Sequence, residues 1–216
     1  MPAKGIDKLD TKTRAMVLNM MVECDEILSF VYAKDKNVKT ATTAPDGAGD
    51  VWTWTAIDAD SKMILSYEVG DRSGDTAYEL MVDLSPRLAN RVQLTTDGHR
   101  AHLDAIEGAF GGDIDYAMLV KQYGGSTGNQ GHEKKYSPAE SIGIKKEQVF
   151  GEPVKELVST SYVERQDLFM CMRRFTRLTN GFSKNLENHM EWIVGSIDAI
   201  APAPKTRGSY KKRNSN

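Results

Sequence analysis

The sequence predicts an α/β fold, a mixed sheet flanked by helices. Three observations lead there: three β-rich stretches come first, a strand–helix–strand pattern follows, and two helical segments close the chain. With 216 residues, 40% hydrophobic and 27% charged, it can bury a core of ordinary size as one main domain.

Residues 22–32 (VECDEILSFVY) read as the first strand. Val22, Cys24, Leu28, Phe30 and Tyr32 share one face, while Asp25 shares the other with Ile27, Ser29 and Val31. Residues 51–58 and 62–69, joined by the tight turn 59–61, complete an antiparallel meander. TATTAPDGAGD, between the first two strands, is a loop without a ligand signature. In 74–88, Ala77, Leu80, Met81 and Leu84 recur at helical spacing; RVQLT at 91–95 is a short buried strand, 99–110 a helix and 114–120 another strand. From Gln122 to Ser159 periodicity lapses and glycines accumulate, so about 122–159 is expected to be a loop insertion; the glycines do not form a phosphate-binding pattern. Helices are expected over about 161–178 and 183–197.

Charge is nearly balanced, 28 Lys+Arg against 30 Asp+Glu, so the total does not call for a polyanionic partner. Its distribution says more: MCMRRFTRLTNGFSK carries Arg173, Arg174, Arg177 and Lys184 without an acid, and the final stretch adds five bases. A solvated face with a frayed tail competes with a phosphate-contacting surface. No apolar run approaches the roughly 18 residues of a spanning helix, and the charged start does not resemble a signal peptide, so a cytoplasmic protein is expected. Cys24 and Cys171 suit buried thiols better than a disulfide scaffold or metal pair.

Three carboxylates stand where they cost energy. Asp25 interrupts a strand, Asp97 follows one and introduces a glycine, and Glu164 falls on the helical stripe of Leu168, Cys171, Phe175, Leu178 and Phe182. The structural alternatives are a plain Asp-Gly turn at Asp97 and a helix-start acid at Glu164. An Asp in one strand, an Asp at the end of a later one and a Glu on a following helix can converge on Mg²⁺ or a similar hard ion; two such ions would suit phosphodiester cleavage.

The blocks VECDEILSFVYAKDK, DVWTWTAIDADSKMILSYEVGDRS, LTTDGHRAH and SYVERQDLFMCMRRFTRLTNGFSKNLENH resemble the transposases of the insertion sequence one family over roughly residues 22 to 190. The resemblance implies an RNase H-like catalytic domain over 22–200 whose D-D-E triad falls on Asp25, Asp97 and Glu164. It further implies two Mg²⁺ or Mn²⁺ ions on those residues, and cleavage and strand transfer at insertion-sequence ends. Double-stranded DNA, transposon ends and target, is then the partner, contacted by Arg173, Arg174, Arg177 and Lys184; a homo-oligomer and a nucleoid-associated location are also implied. The chain departs from the family in Leu28, where a Trp is usual, and in the segment after His189. Residues 1–21 are expected to be a remnant of an N-terminal DNA-binding helix, and 201–216 a basic flexible tail. A catalytically silent DNA-binding or oligomerising remnant, and a metal-dependent nuclease without strand transfer, are the competing functions.

Smaller signals are weighed against ordinary packing. His99 and His102 have a spacing that could hold Zn²⁺ but lack a third ligand of clear spacing, and one is expected beside Asp97. Asp58 and Asp60 flank a turn, and Trp52 and Trp54 suit sheet packing better than base stacking.

Overall fold

The computed structural model describes residues 21–123, 141–170 and 183–198. Six strands, β1 (Met21–Val31), β2 (Gly49–Asp58), β3 (Ile64–Gly70), β4 (Gln93–Asp97), β5 (Asp115–Tyr123) and β6 (Ser141–Phe150), form one mixed sheet in the order β3-β2-β1-β4-β5-β6. β1, β2 and β3 are the expected meander; β4 and β5 run parallel to β1, and β6 returns antiparallel to β5. Helices α1 (Gly74–Leu84), α2 (Ala101–Phe110), α3 (Ser161–Met170) and α4 (Leu186–Asp198) flank the sheet.

Strand alternation sorts the core onto two faces. Val22 and Cys24 of β1, Trp54 of β2, Leu94 of β4 and Tyr116 of β5 pack against Ala77, Leu80, Met81 and Leu84 of α1 and Ala105 and Ile106 of α2. The opposite face, carrying Ile27 of β1 and Ile64 of β3, meets Ile193 and Ile197 of α4. α1 starts where Ser73 accepts a hydrogen bond from the Thr76 amide, and α2 stops at Gly111 in the left-handed conformation.

The Ser29 hydroxyl, donating to the Val51 carbonyl at 3.0 Å, leaves its oxygen to accept from His189 Nε2 at 2.8 Å. His189 Nδ1 therefore accepts from the Ser183 hydroxyl at 3.2 Å, and burial holds this imidazole below its ordinary pKa, in keeping with a neutral ring. This relay joins the entry to α4 to the middle of β1.

The 122–159 segment departs from the expected loop, because it contains β6 and a 3-10 turn at Lys155–Leu157. SIGIKKEQVF lacks a clean alternation: as an edge strand it pairs by its backbone and leaves Ile142 and Ile144 exposed. Residues 1–20, 124–140, 171–182 and 199–216 lie outside the described residues, among them the N-terminal remnant, the basic tail and Arg173, Arg174 and Arg177. No helix among the described residues is long and apolar enough to cross a membrane.

The return from β6 depends on Gly151, whose φ is +65° and whose added Cβ would lie 2.8 Å from the Ile114 carbonyl oxygen. Beside it, Asp115 accepts from Arg91 Nη2 at 2.8 Å and from the Glu152 amide at 2.8 Å. Gly151→Ala is expected to cost more than about 1 kcal/mol, read as a lower urea midpoint at unchanged m-value; an unchanged midpoint would contradict this account of the corner.

Candidate metal centre

The site forms where two strands part company. β1 pairs with β4 only as far as Cys24 and Thr96, so Asp25 and Asp97, each the next residue, face a gap where β4 ends at its carboxyl terminus while β1 runs on to Val31. One oxygen each of Asp25, Glu26 and Asp97 lies within 4.8 Å of the others. Asp97 is the last residue of β4, and its Oδ1 accepts from the His99 amide at 2.9 Å, so the Asp-Gly turn and the ligand position coexist. Asp25 Oδ1 is steadied by the Glu26 amide at 2.9 Å.

α3 comes to this gap through a buried acid. Glu23, on the same face of β1 as Asp25, accepts from the backbone amides of Tyr162 and Val163 at 2.7 and 2.9 Å, at the first turn of α3. A carboxylate at a helix N-terminus satisfies amides that have no intrahelical partner and meets the positive end of the dipole. Burial outweighs those bonds and leaves the Glu23 carboxyl above its ordinary pKa.

Docked this way, α3 buries Val163 and Asp167, with Glu164 half-buried at the border. The stripe expected to carry Glu164 is thus rotated by one residue in the first turns. Glu164 Oε1 is held by Lys121 Nζ at 2.6 Å and the Thr160 hydroxyl at 2.5 Å. It stands outside the three-carboxylate cluster but near enough that its charge helps to raise Asp25.

Asp167, three residues on, is the acid that meets Asp25 directly. The charge of Asp25 acts on Asp167, and Thr55, opposite Asp25 in the β1–β2 register, donates weakly to Asp167 Oδ1 at 3.5 Å. Burial, then the charges of Glu26, Asp97 and Glu164, push Asp25 up to about 7; burial and the charge of Asp25 push Asp167 to about 9. Both acids are held well above the ordinary carboxylate range, and their titrations depend on each other.

Glu26 faces the opposite side of β1. Burial would raise it, but the neighbouring His102 imidazole and the hydrogen-bonded Arg72 guanidinium hold its carboxyl below the ordinary range. Its Oε1 accepts from Arg72 Nε at 2.9 Å, and its Oε2 lies 3.6 Å from His102 Nε2. Glu26, His99 and His102 form a second group whose ligand atoms lie within 4.8 Å of one another.

The structure thus brings Asp25 and Asp97 together, with Glu164 alongside and tied to Lys121. Reasoning from sequence missed Glu23, Glu26 and Asp167; the available signals were a second acid in β1 on the Asp25 face, a neighbouring one and an acid one turn beyond Glu164. Lys184 is exposed beside α4. Cys24 is buried with its thiol raised, which suits an inert core residue. Trp54 is core, donating from Nε1 to the Asp71 carbonyl at 2.9 Å, and Asp58 caps the 59–61 turn through the Asp60 and Ser61 amides at 3.1 and 2.8 Å.

The residues fit a hard divalent cation: oxygen donors converge, and the burial and acid–acid repulsion that raise Asp25 are what a bound cation would offset. Compared with models of known protein families and with curated proteins, the sequence matches none.

The raised acids fix the sign of a pH effect. An unfolded Asp ionises near pH 3.9, so the folded chain retains protons that the unfolded chain releases. Stability from the pair is full below about pH 4 and is lost as pH rises through about 7 and then about 9. Asp167→Asn, which cannot ionise, is expected to gain steadily on the wild type between those limits in metal-free buffer. The gain should exceed about 2 °C in melting midpoint by pH 9, the shift that 1 kcal/mol gives in a domain of this size. A pH-independent difference would contradict the raised protonation of these acids.

Proposed function

We propose that this chain is a metal-dependent DNA strand-cleaving and strand-transfer enzyme of the D-D-E transposase type, with an RNase H-like catalytic domain. The observation that carries the reading is the meeting of Asp25, within β1, and Asp97, at the carboxyl end of the adjacent parallel strand β4, with Glu164 brought alongside by α3. Three antiparallel strands followed by two parallel ones, in the order β3-β2-β1-β4-β5, support the RNase H-like assignment, and the resemblance of the blocks around the three acids supports the transposase assignment.

Asp25 and Asp97 would hold Mg²⁺ or Mn²⁺, with Glu164 turning from Lys121 to complete the set. Bound there, a divalent pair supplies activation of water or a 3′-hydroxyl and neutralisation of the leaving oxygen. The chain's own residues set the stage. Asp167 retains its proton near neutral pH, which lowers the repulsion against Asp25. Glu23 keeps α3 against the sheet, fixing where Glu164 can reach. Lys121, once exchanged from Glu164, is a cation at the rim able to meet a DNA phosphate. Arg173, Arg174, Arg177 and Lys184 would extend that basic surface, and a homo-oligomer would bring two ends together.

Asp25→Asn, Asp97→Asn and Glu164→Gln are each expected to lower Mg²⁺-dependent nicking of insertion-end duplex at least about 100-fold, the upper range found for outer-shell partners of a metal, while circular dichroism stays unchanged. Retained nicking in any of the three would remove that residue from the site. Cleavage without a joined product would favour the nuclease reading over the transposase.

A further inference from the structure

Adjoining the carboxylate cluster and sharing Glu26 with it, a second set of groups on the α1–α2 side of β1 holds buried atoms without hydrogen bonds. Glu26 Oε2, His99 Nδ1 and both ring nitrogens of His102 are buried without a hydrogen bond. The Glu26 side chain is 1% exposed and His102 is fully buried. Native structures leave few such atoms unsatisfied, and each calls for a bound species or a cause.

Three elements aim these groups at one point. Glu26 comes from β1, His99 from the β4–α2 connection and His102 from the first turn of α2. Trp54, opposite Glu26 in the β1–β2 register, walls the site, with its ring 5.7 Å from that of His99 and 5.2 Å from that of His102. Arg72 occupies Glu26 Oε1 at 2.9 Å from its Nε, which leaves Oε2 as the available ligand.

The spacing discriminates between a proton and a metal ion. A charge-assisted hydrogen bond between imidazolium and carboxylate closes to about 2.7–2.9 Å. Ligands about 2.1 Å from a tetrahedral ion stand roughly 3.4 Å apart. His102 Nε2 and Glu26 Oε2 are 3.6 Å apart, and one ligand atom of each of the three residues lies within 4.8 Å of the others.

We infer that Glu26, His99 and His102 form a site for a borderline divalent transition ion, Zn²⁺ or Co²⁺, next to the Asp25–Asp97 site, with which it shares the Glu26 carboxyl, and with a fourth position for water. Two imidazoles and one carboxylate favour such an ion over Mg²⁺, which prefers oxygen donors. The ion joins α2 to β1 and, because Asp97 Oδ1 accepts from the His99 amide, steadies the neighbouring carboxylate cluster. This inference rests on the groups around Trp54 and stands whether or not the chain cleaves DNA.

Co²⁺ is the probe, because its visible absorption reports ligand type and number without reference to activity. The full chain in excess Mg²⁺ is expected to bind one equivalent of Co²⁺, displaceable by Zn²⁺, and to keep that spectrum in Asp25→Asn and Glu164→Gln. His99→Ala and His102→Ala should each weaken binding at least about 100-fold. His99 is half-buried, so its variant remains informative if the His102 variant misfolds. No Co²⁺ bound by the folded wild type would overturn the inference, as would wild-type affinity in His99→Ala, or a spectrum lost with Asp25→Asn and kept in His99→Ala.

Discussion

A buried carboxylate under a helix start governs the geometry of this protein. Glu23 leaves water to accept from the first amides of α3, 139 and 140 residues away in the chain. Burying an ionised acid costs several kcal/mol, and two charge-assisted bonds at the positive end of a helix dipole offset much of that. The bonds set the height and rotation of α3 against β1, burying Val163 and Asp167 and leaving Glu164 at the rim. Through them the first turn of α3 is tied directly to β1.

The second constraint is the end of the β1–β4 pairing. Up to Cys24 and Thr96 the strands satisfy each other's backbones; one residue later they part, and side chains enter the gap. Because alternate residues face opposite ways, neighbouring acids serve different environments. Asp25 looks toward Asp167, and Glu26 toward Arg72 and His102. Burial raises the first and strong partners hold down the second, so two adjacent carboxyls on one strand differ in protonation at the same pH. That contrast sets a raised acid beside a fixed anion within one carboxylate cluster.

Much of this was legible in sequence because it rests on local pattern. Alternation in β1 places Asp25 with Ile27 and Ser29, as observed, and the β4 strand ends on Asp97 as the Asp-Gly pair suggests. What could not be read depends on partners without a sequence signature. Glu23 answers to backbone amides, which every residue but proline carries. β6 is an edge strand whose polar, two-sided sequence satisfies itself through backbone pairing with β5. Asp167 was hidden by the helical wheel: the apolar residues after Leu168 drew the stripe through Glu164, whereas docking on Glu23 turns Val163 and Asp167 inward. His99 and His102 were visible as a pair, but their third companion, Glu26, lies on another strand and is joined to them only by the fold.

The gap where β4 ends beside Asp25 of β1 is built to hold a divalent cation, with Glu164 joining from α3. A crystal of the protein soaked in Mn²⁺ and measured at the manganese absorption edge tests it most directly. The account predicts anomalous density between Asp25 and Asp97, with Glu164 turned from Lys121 toward the ion. Density confined to other acids, or an ordered gap that stays empty with the Lys121–Glu164 pair intact, would contradict it.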